Sequence, residues 1–330
     1  MRTTKTISTI LALCIITALF NPIAASAEEL HGSEVYRNDN ADVALENEIK
    51  QNGYDAVSEI QLSDLSDING STDDVYKEDL LRSGDQYESN DDIAHATTGL
   101  VGTKLHATIH DTSDWDVYEI DILDTSEYYS FVLMDIPSGC DYQMAVVDST
   151  YNGWANYSSG NAYEFFAKQF DTLGTYYVII YSASGCSDTP YTLYFGKSFK
   201  NGNTGWMDPH FTFSFGNVPH GGYNELSPQV LDLSNDASIP TSVLTQLYVS
   251  TEGNGGQWAG FTKYVQYENS QTMSIIGNLE SFSIPDMTYY TKTQWKIWGS
   301  VQYSQYFTWT PRILMGYKFI VAPQTMSFLP

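Results

Sequence analysis

Basic residues are scarce in this 330-residue chain: 15 Lys and Arg stand against 40 Asp and Glu, a formal net charge of −25. A nucleic-acid binder needs a basic face to offset phosphate, so DNA and RNA are excluded as partners, and anionic lipid surfaces with them. The imbalance favours cations, either Ca²⁺ outside the cell or a basic partner, beside the plainer role of acidity in solubility. Cysteine is also sparse: of three, Cys14 lies in an apolar leader, which leaves Cys140 and Cys186. No Cys-x-x-Cys and no Cys/His grouping has zinc spacing. Gly-x-Ser-x-Gly and His-Glu-x-x-His are missing, so neither a nucleophile elbow nor a helix-borne zinc pair can be read. His106 and His110 flank Ala-Thr-Ile, which reads as strand rather than helix, and are set aside. His210 and His220, with Asp208 and Glu225, are the nearest approach to a cluster further on, and loop histidines of this kind are mostly structural or solvated.

Long apolar runs are missing too, except at the start. Arg2 and Lys5 precede an apolar stretch from Ile7 to Phe20, and Ala25-Ser26-Ala27 follows. The stretch is too short to span a bilayer and has the form of a signal peptide cleaved after Ala27. The expectation is a secreted protein without membrane insertion.

What is abundant is strand material: 25 Tyr and 14% aromatic residues, punctuated by Gly, Asn, Asp and Ser. Residues 28–84 are acidic, polar and without an aromatic cluster, and read as a poorly ordered lead-in holding a short helix or two. Residues 85–197 contain alternating runs such as Trp115–Ile122 and Tyr142–Val147, with turns at Pro137-Ser-Gly and Asn152-Gly153. Residues 198–205 read as a turn-rich linker. Residues 206–330 again alternate, most clearly at Trp295, Ile297, Gly299, Val301 and Tyr303. The predicted fold is all-β, with two antiparallel β-sandwich domains of jelly-roll or immunoglobulin-like type.

In residues 85–197 several features fall in a fixed order: Glu88-Ser-Asn90-Asp91-Asp92, then Asp114-Trp-Asp116-Val-Tyr118. Cys140-Asp141-Tyr142, Leu173-Gly-Thr-Tyr-Tyr-Val178 and Tyr191-Thr-Leu193 follow. This region resembles the pre-peptidase C-terminal domain of secreted bacterial proteases and is similar to the related collagen-binding domains of clostridial collagenases. Ser89 departs from the pattern, where proline is common, and Gln86 stands where relatives carry an acidic residue, a role Asp85 would have to supply. The resemblance implies Ca²⁺ held by Glu88, Asn90, Asp91 and Asp116, with Asp114 as a further candidate. The chemistry agrees, because Ca²⁺ takes six to eight oxygens from carboxylates, amides and backbone. Asp114 and Asp116 lie too close together to flank a sugar bond.

Cys140 lies just before one strand and Cys186 just after another, so a disulfide is expected if those strands are neighbours. Tyr151, Trp154 and Tyr157 cluster around a turn, and Trp206, Trp258, Trp295, Trp298 and Trp309 populate the second half. Exposed, such rings grip a sugar or a peptide; buried, they are core. The expected function is non-enzymatic: a calcium-stabilised accessory protein that binds an extracellular protein or polysaccharide. An enzyme of unrecognised type in the C-terminal domain and a structural surface component are the alternatives.

Overall fold

Alternating apolar and polar side chains bury one face of a strand and leave the other for a second contact, and most of this chain is built that way. The computed structural model describes residues 40–66, 85–156, 162–250, 260–277, 279–284, 288–302 and 306–330. The expected signal peptide and cleavage site, and residues 28–39 and 67–84 of the expected lead-in, lie outside the described residues. All described residues belong to one unit, Arg37–Pro330.

The acidic segment supplies α1 (Asn40–Gln51), β1 (Ser58–Ile60) and α2 (Leu62–Ser66). Eight strands follow: β2 (Lys104–Ile109), β3 (Trp115–Ile122), β4 (Tyr128–Met134), β5 (Asp141–Val147), β6 (Gly153–Asn156), β7 (Tyr163–Gln169), β8 (Gly174–Ser184) and β9 (Ser187–Lys197). They form two sheets with antiparallel ladders, ordered β1-β6-β5-β8-β3 and β2-β9-β4-β7. Tyr118, Ile120, Met144, Val178 and Ile180 of the first sheet share a core with Leu105, Phe131, Leu133, Phe166 and Leu193 of the second.

The rest of the chain contributes β10 (Phe199–Asn203), β11 (Phe213–Phe215), β12 (Asn224–Glu225), β13 (Gln229–Asp232), β14 (Val243–Val249) and β15 (Phe261–Tyr267). After these come β16 (Thr272–Ile276), β17 (Ser281–Phe282), β18 (Gln294–Val301), β19 (Phe307–Trp309) and β20 (Ile313–Ile320). Their orders are β10-β20-β14-β17, β11-β19 and β12-β18-β15-β16, with β13 also on β18. The fold is all-β, as the composition predicts.

Two expectations are corrected. Residues 199–203 of the expected linker are a strand: β10 pairs with β20, Phe199 opposite Ile320 and Asn203 opposite Gly316. Nor is the lead-in poorly ordered over residues 40–66. Ala41, Leu45 and Ile49 fall at i, i+4 and i+8, one stripe of α1, and each is at most 1% exposed. That stripe joins a core with Tyr128, Val132, Phe165, Ala167 and Tyr194 of the β2-β9-β4-β7 sheet and Val243, Leu244 and Leu247 of β14. On the far side of the other sheet, Ile60 and Leu65 cover Val117, Ala145, Val147, Ala155 and Ile179. Residues 40–66 therefore pack on outward faces of both sheets through Ala41, Leu45, Ile49 and Leu65, while Val57 packs against the core between the sheets.

An ion pair adds to the α1 contact. The Lys318 ammonium on β20 meets the Asp42 carboxylate, with 9% and 40% of their side chains exposed. Asp42→Ala leaves a nearly buried cation without that partner, and the half-exposed setting limits the cost to about 1–2 kcal/mol. A lowered urea midpoint at unchanged slope is the expected result.

Candidate metal centre

Segment 85–91, which opens with a turn closed by the Glu88 N–H on the Asp85 carbonyl, lies against the start of β3 and the end of β2. Asp85 pins it there: its Oδ1 accepts from the Tyr87 N–H at 2.8 Å and its Oδ2 from the Thr108 N–H at 2.7 Å. Both oxygens thus have backbone partners, which leaves Asp85 poorly suited to replace the acidic residue missing at Gln86. The Asn90 carbonyl accepts from the Val117 N–H at 2.9 Å and fixes the other end of the segment beside β3.

Two of the predicted ligands are held from within. Asp116 is fully buried, and its Oδ2 accepts from the Tyr191 hydroxyl at 2.6 Å. That hydroxyl lies 3.1 Å from the Tyr118 hydroxyl. The Asn90 amide, oriented by its surroundings, donates to Asp116 Oδ1 at 3.3 Å. Burial raises the Asp116 carboxyl well above its ordinary range, the Tyr191 hydrogen bond opposes this, and Asp114, Asp85 and Glu88 add to it.

Two others are not so satisfied. Asp114 is 1% exposed; its Oδ2 accepts from the His110 N–H at 2.6 Å, while its Oδ1 is buried with no hydrogen-bond partner. Glu88 Oε1 is likewise buried without a hydrogen-bond partner, with the His110 ring 3.7 Å away. Burial raises the Asp114 carboxyl to about 6, against the His110 N–H and with help from Asp91. Glu88 rises to about 7, through burial first and then repulsion from Asp114, Asp91 and Asp85. Asp91 itself is exposed at the rim.

The sequence reading weighed His110 only as a helical pair with His106 and set it aside. It follows β2 directly, and one ligand atom from each of Glu88, His110 and Asp114 lies within 4.8 Å of the others. No other such trio occurs among the described residues. Burial alone would lower the imidazole's pKa, but Asp188 and the carboxylates of Asp114 and Glu88 outweigh it and leave it raised. The signal in the sequence was its place one residue beyond a strand and four before Asp114. Glu88, Asn90, Asp91, Asp114 and Asp116 therefore share one neighbourhood, with Glu88 and Asp114 carrying the free oxygens and Asn90 and Asp116 supporting them.

The other candidate residues fare differently. Cys140 and Cys186 are free thiols, so the expected disulfide is not formed. Their strands do pair, Asp141 opposite Ser184 with a register shift beside it, but Cys140 packs against the core and Cys186 is exposed. Trp154 packs edge-on against Phe170 at 5.5 Å, with the Lys168 ammonium 4.6 Å over its ring. Tyr151 packs on the opposite core of the same sheet, so these two rings do not form one exposed patch. Tyr157 and Trp258 lie outside the described residues. Trp295 and Trp309 are fully buried and Trp298 is 7% exposed, whereas Trp206 is 43% exposed beneath the Arg312 guanidinium. His210 and His220 are both exposed.

No family model and no curated protein matches this chain. Among solved structures, infectious bursal disease virus Gt strain aligns at 12% identity over 66% of this chain and 70% of that one, with a TM-score of 0.21. BuGH86 in complex with neoagarooctaose aligns at 8% identity over 65% and 33%, with a TM-score of 0.18. The major capsid protein of bacteriophage PM2 aligns at 7% identity over 67% and 99%, with a TM-score of 0.16. Likenesses this slight transfer neither fold nor function. Among the described residues no helix is long and apolar enough to cross a membrane.

Proposed function

We propose that this is a secreted, non-enzymatic binding protein whose first two sheets are tied together by Ca²⁺ and which engages an extracellular protein or polysaccharide. One observation carries the calcium part: Asp114 Oδ1 and Glu88 Oε1 are buried without hydrogen-bond partners in a mainly acidic cluster, in which the His110 ring is the one basic group, 3.7 Å from Glu88 Oε1. Unpaired buried carboxylate oxygens are costly, and a hard dication is the partner that removes both the desolvation and the repulsion. Glu88, Asp91 and Asp114 would hold the cation, with Asn90 and Asp116 beside them. The donor set fits, since all five side chains offer oxygen. The resemblance to pre-peptidase C-terminal domains and the leader before Glu28 support export and an accessory role.

Ca²⁺ at about 100 times its Kd should stabilise the metal-stripped protein by about 2.7 kcal/mol, roughly 5 °C in Tm. Asp114→Ala and Asp91→Ala should abolish the shift, and Asp124→Ala, in an exposed turn, should leave it intact. A Tm indifferent to millimolar Ca²⁺ would overturn the reading. The polymer is then sought on glycan and protein arrays, with and without Ca²⁺.

A further inference from the structure

We infer that Glu88, His110 and Asp114 form a mixed nitrogen–oxygen site for a transition-metal dication of the Zn²⁺ type, with Asp188 as its orienting residue. The proposal concerns a different class of metal from Ca²⁺ at two of the same carboxylates, Glu88 and Asp114, so the two ions would compete there and the titrations below tell them apart. Calcium is bound by oxygen, whereas imidazole nitrogen suits zinc and its neighbours in the first transition row.

The two ring nitrogens of His110 face different groups. Nδ1 lies 3.0 Å from Asp188 Oδ1, a carboxylate on β9 with 87% of its side chain exposed. Nε2 lies 3.7 Å from Glu88 Oε1 and 3.2 Å from the Thr108 hydroxyl. The network assigns the proton to Nδ1, donating to Asp188, and leaves the Nε2 lone pair toward the cluster, where the Thr108 hydroxyl can donate to it. A carboxylate on the far nitrogen of a metal-binding histidine fixes tautomer and ring plane in this manner.

The other two donors lack hydrogen-bond partners. Asp114 Oδ1 has none on a residue 1% exposed, and Glu88 Oε1 has only the 3.7 Å approach of the His110 ring. Ligand atoms in a tetrahedral zinc shell stand about 3.4 Å apart; Nε2 and Oε1 are 3.7 Å apart and the three ligand atoms lie within 4.8 Å of one another, so the trio would have to draw in by up to about 1.4 Å to close on one ion. The Thr108 hydroxyl would turn away, at the cost of one neutral hydrogen bond. Three protein ligands leave a further position for water or a partner's side chain, the pattern of open rather than closed zinc sites.

The test is calorimetric titration of Zn²⁺ and, separately, Ca²⁺ into the metal-stripped full chain, its His110→Ala variant and its Asp188→Ala variant. Zn²⁺ affinity should fall about 100-fold in His110→Ala and about 10-fold in Asp188→Ala, while Ca²⁺ affinity changes less than about 2-fold in either. Visible absorption of bound Co²⁺ should also lose its nitrogen-ligand signature in His110→Ala. Asp188 is a surface side chain, so its variant tests the site even if His110→Ala fails to fold. Zn²⁺ binding that neither variant weakens, or no Zn²⁺ binding beside normal Ca²⁺ binding, overturns this inference alone. Zn²⁺ binding that depends on His110, without any Ca²⁺ response, supports it and overturns the calcium reading instead.

Discussion

Leu45→Asp is expected to abolish cooperative folding or to cost about 5 kcal/mol or more, a large part of the total stability of an ordinary domain. Leu45 is 1% exposed in the middle of the α1 stripe. The substitution removes a packed side chain and places a carboxylate in the apolar core where α1 meets β14 and β20. Leu45→Ala, which removes only the packing, should cost about 3 kcal/mol. Val43→Asp on the same helix should change stability by less than about 0.5 kcal/mol, since Val43 is 54% exposed. Urea denaturation followed by Trp fluorescence measures all three. Equal midpoints for Leu45→Asp and Val43→Asp would mean that α1 is not docked. A chain lacking residues 40–66 should likewise expose both outward sheet faces and fail to fold, where a dispensable lead-in would leave the sheets standing.

The metal-stripped protein should lose stability as pH rises through 6 to 7, and Ca²⁺ should reverse the trend. Glu88 is raised from 4.5 to about 7 and Asp114 from 3.8 to about 6. Across that window the folded protein holds protons that the unfolded chain has released. The stabilisation from these two groups is therefore complete below about pH 4 and lost as pH passes their folded values. A bound cation needs both carboxylates ionised, so its stabilisation grows over the same range. Melting in chelator and in millimolar Ca²⁺ should give similar Tm values near about pH 5 and well-separated ones near about pH 8. Glu88→Gln and Asp114→Asn should each flatten the chelator curve. A chelator curve that climbs from about pH 5 to 7 would show that the cluster does not carry these proton affinities.

The strands were legible because their signal is local. Trp115–Ile122 and Trp295–Val301 carry an alternation readable without knowing what lies opposite, and both are strands. The acidic segment and the turn before β3 were legible as possible ligands because their order along the chain matches a known pattern. The ladder from Trp115 to Ile122 against β8 and the Asn90 contact with Val117 then bring Glu88 and Asp114 together. No local pattern distinguishes which of these oxygens find protein partners. Asp116 is satisfied by Tyr191, 75 residues away, and Asp114 is left half-satisfied by its own turn.

The same limit accounts for each correction. Ala41, Leu45 and Ile49 look sparse in an acidic stretch, and what makes them core is a sheet face and a strand far along the chain. The Asp42–Lys318 pair spans 276 residues. Phe199–Asn203 has turn-like composition and becomes a strand because β20 offers a free edge. His110 is an unremarkable residue after β2 until Asp188, 78 positions later, orients its ring. Composition, charge and period-2 alternation determined that this protein is an acidic all-β chain, because those properties depend on each residue and its near neighbours. Which faces are covered, which strand edges are paired and which buried oxygens remain unpartnered depend on residues distant in sequence, and only the tertiary structure decided them.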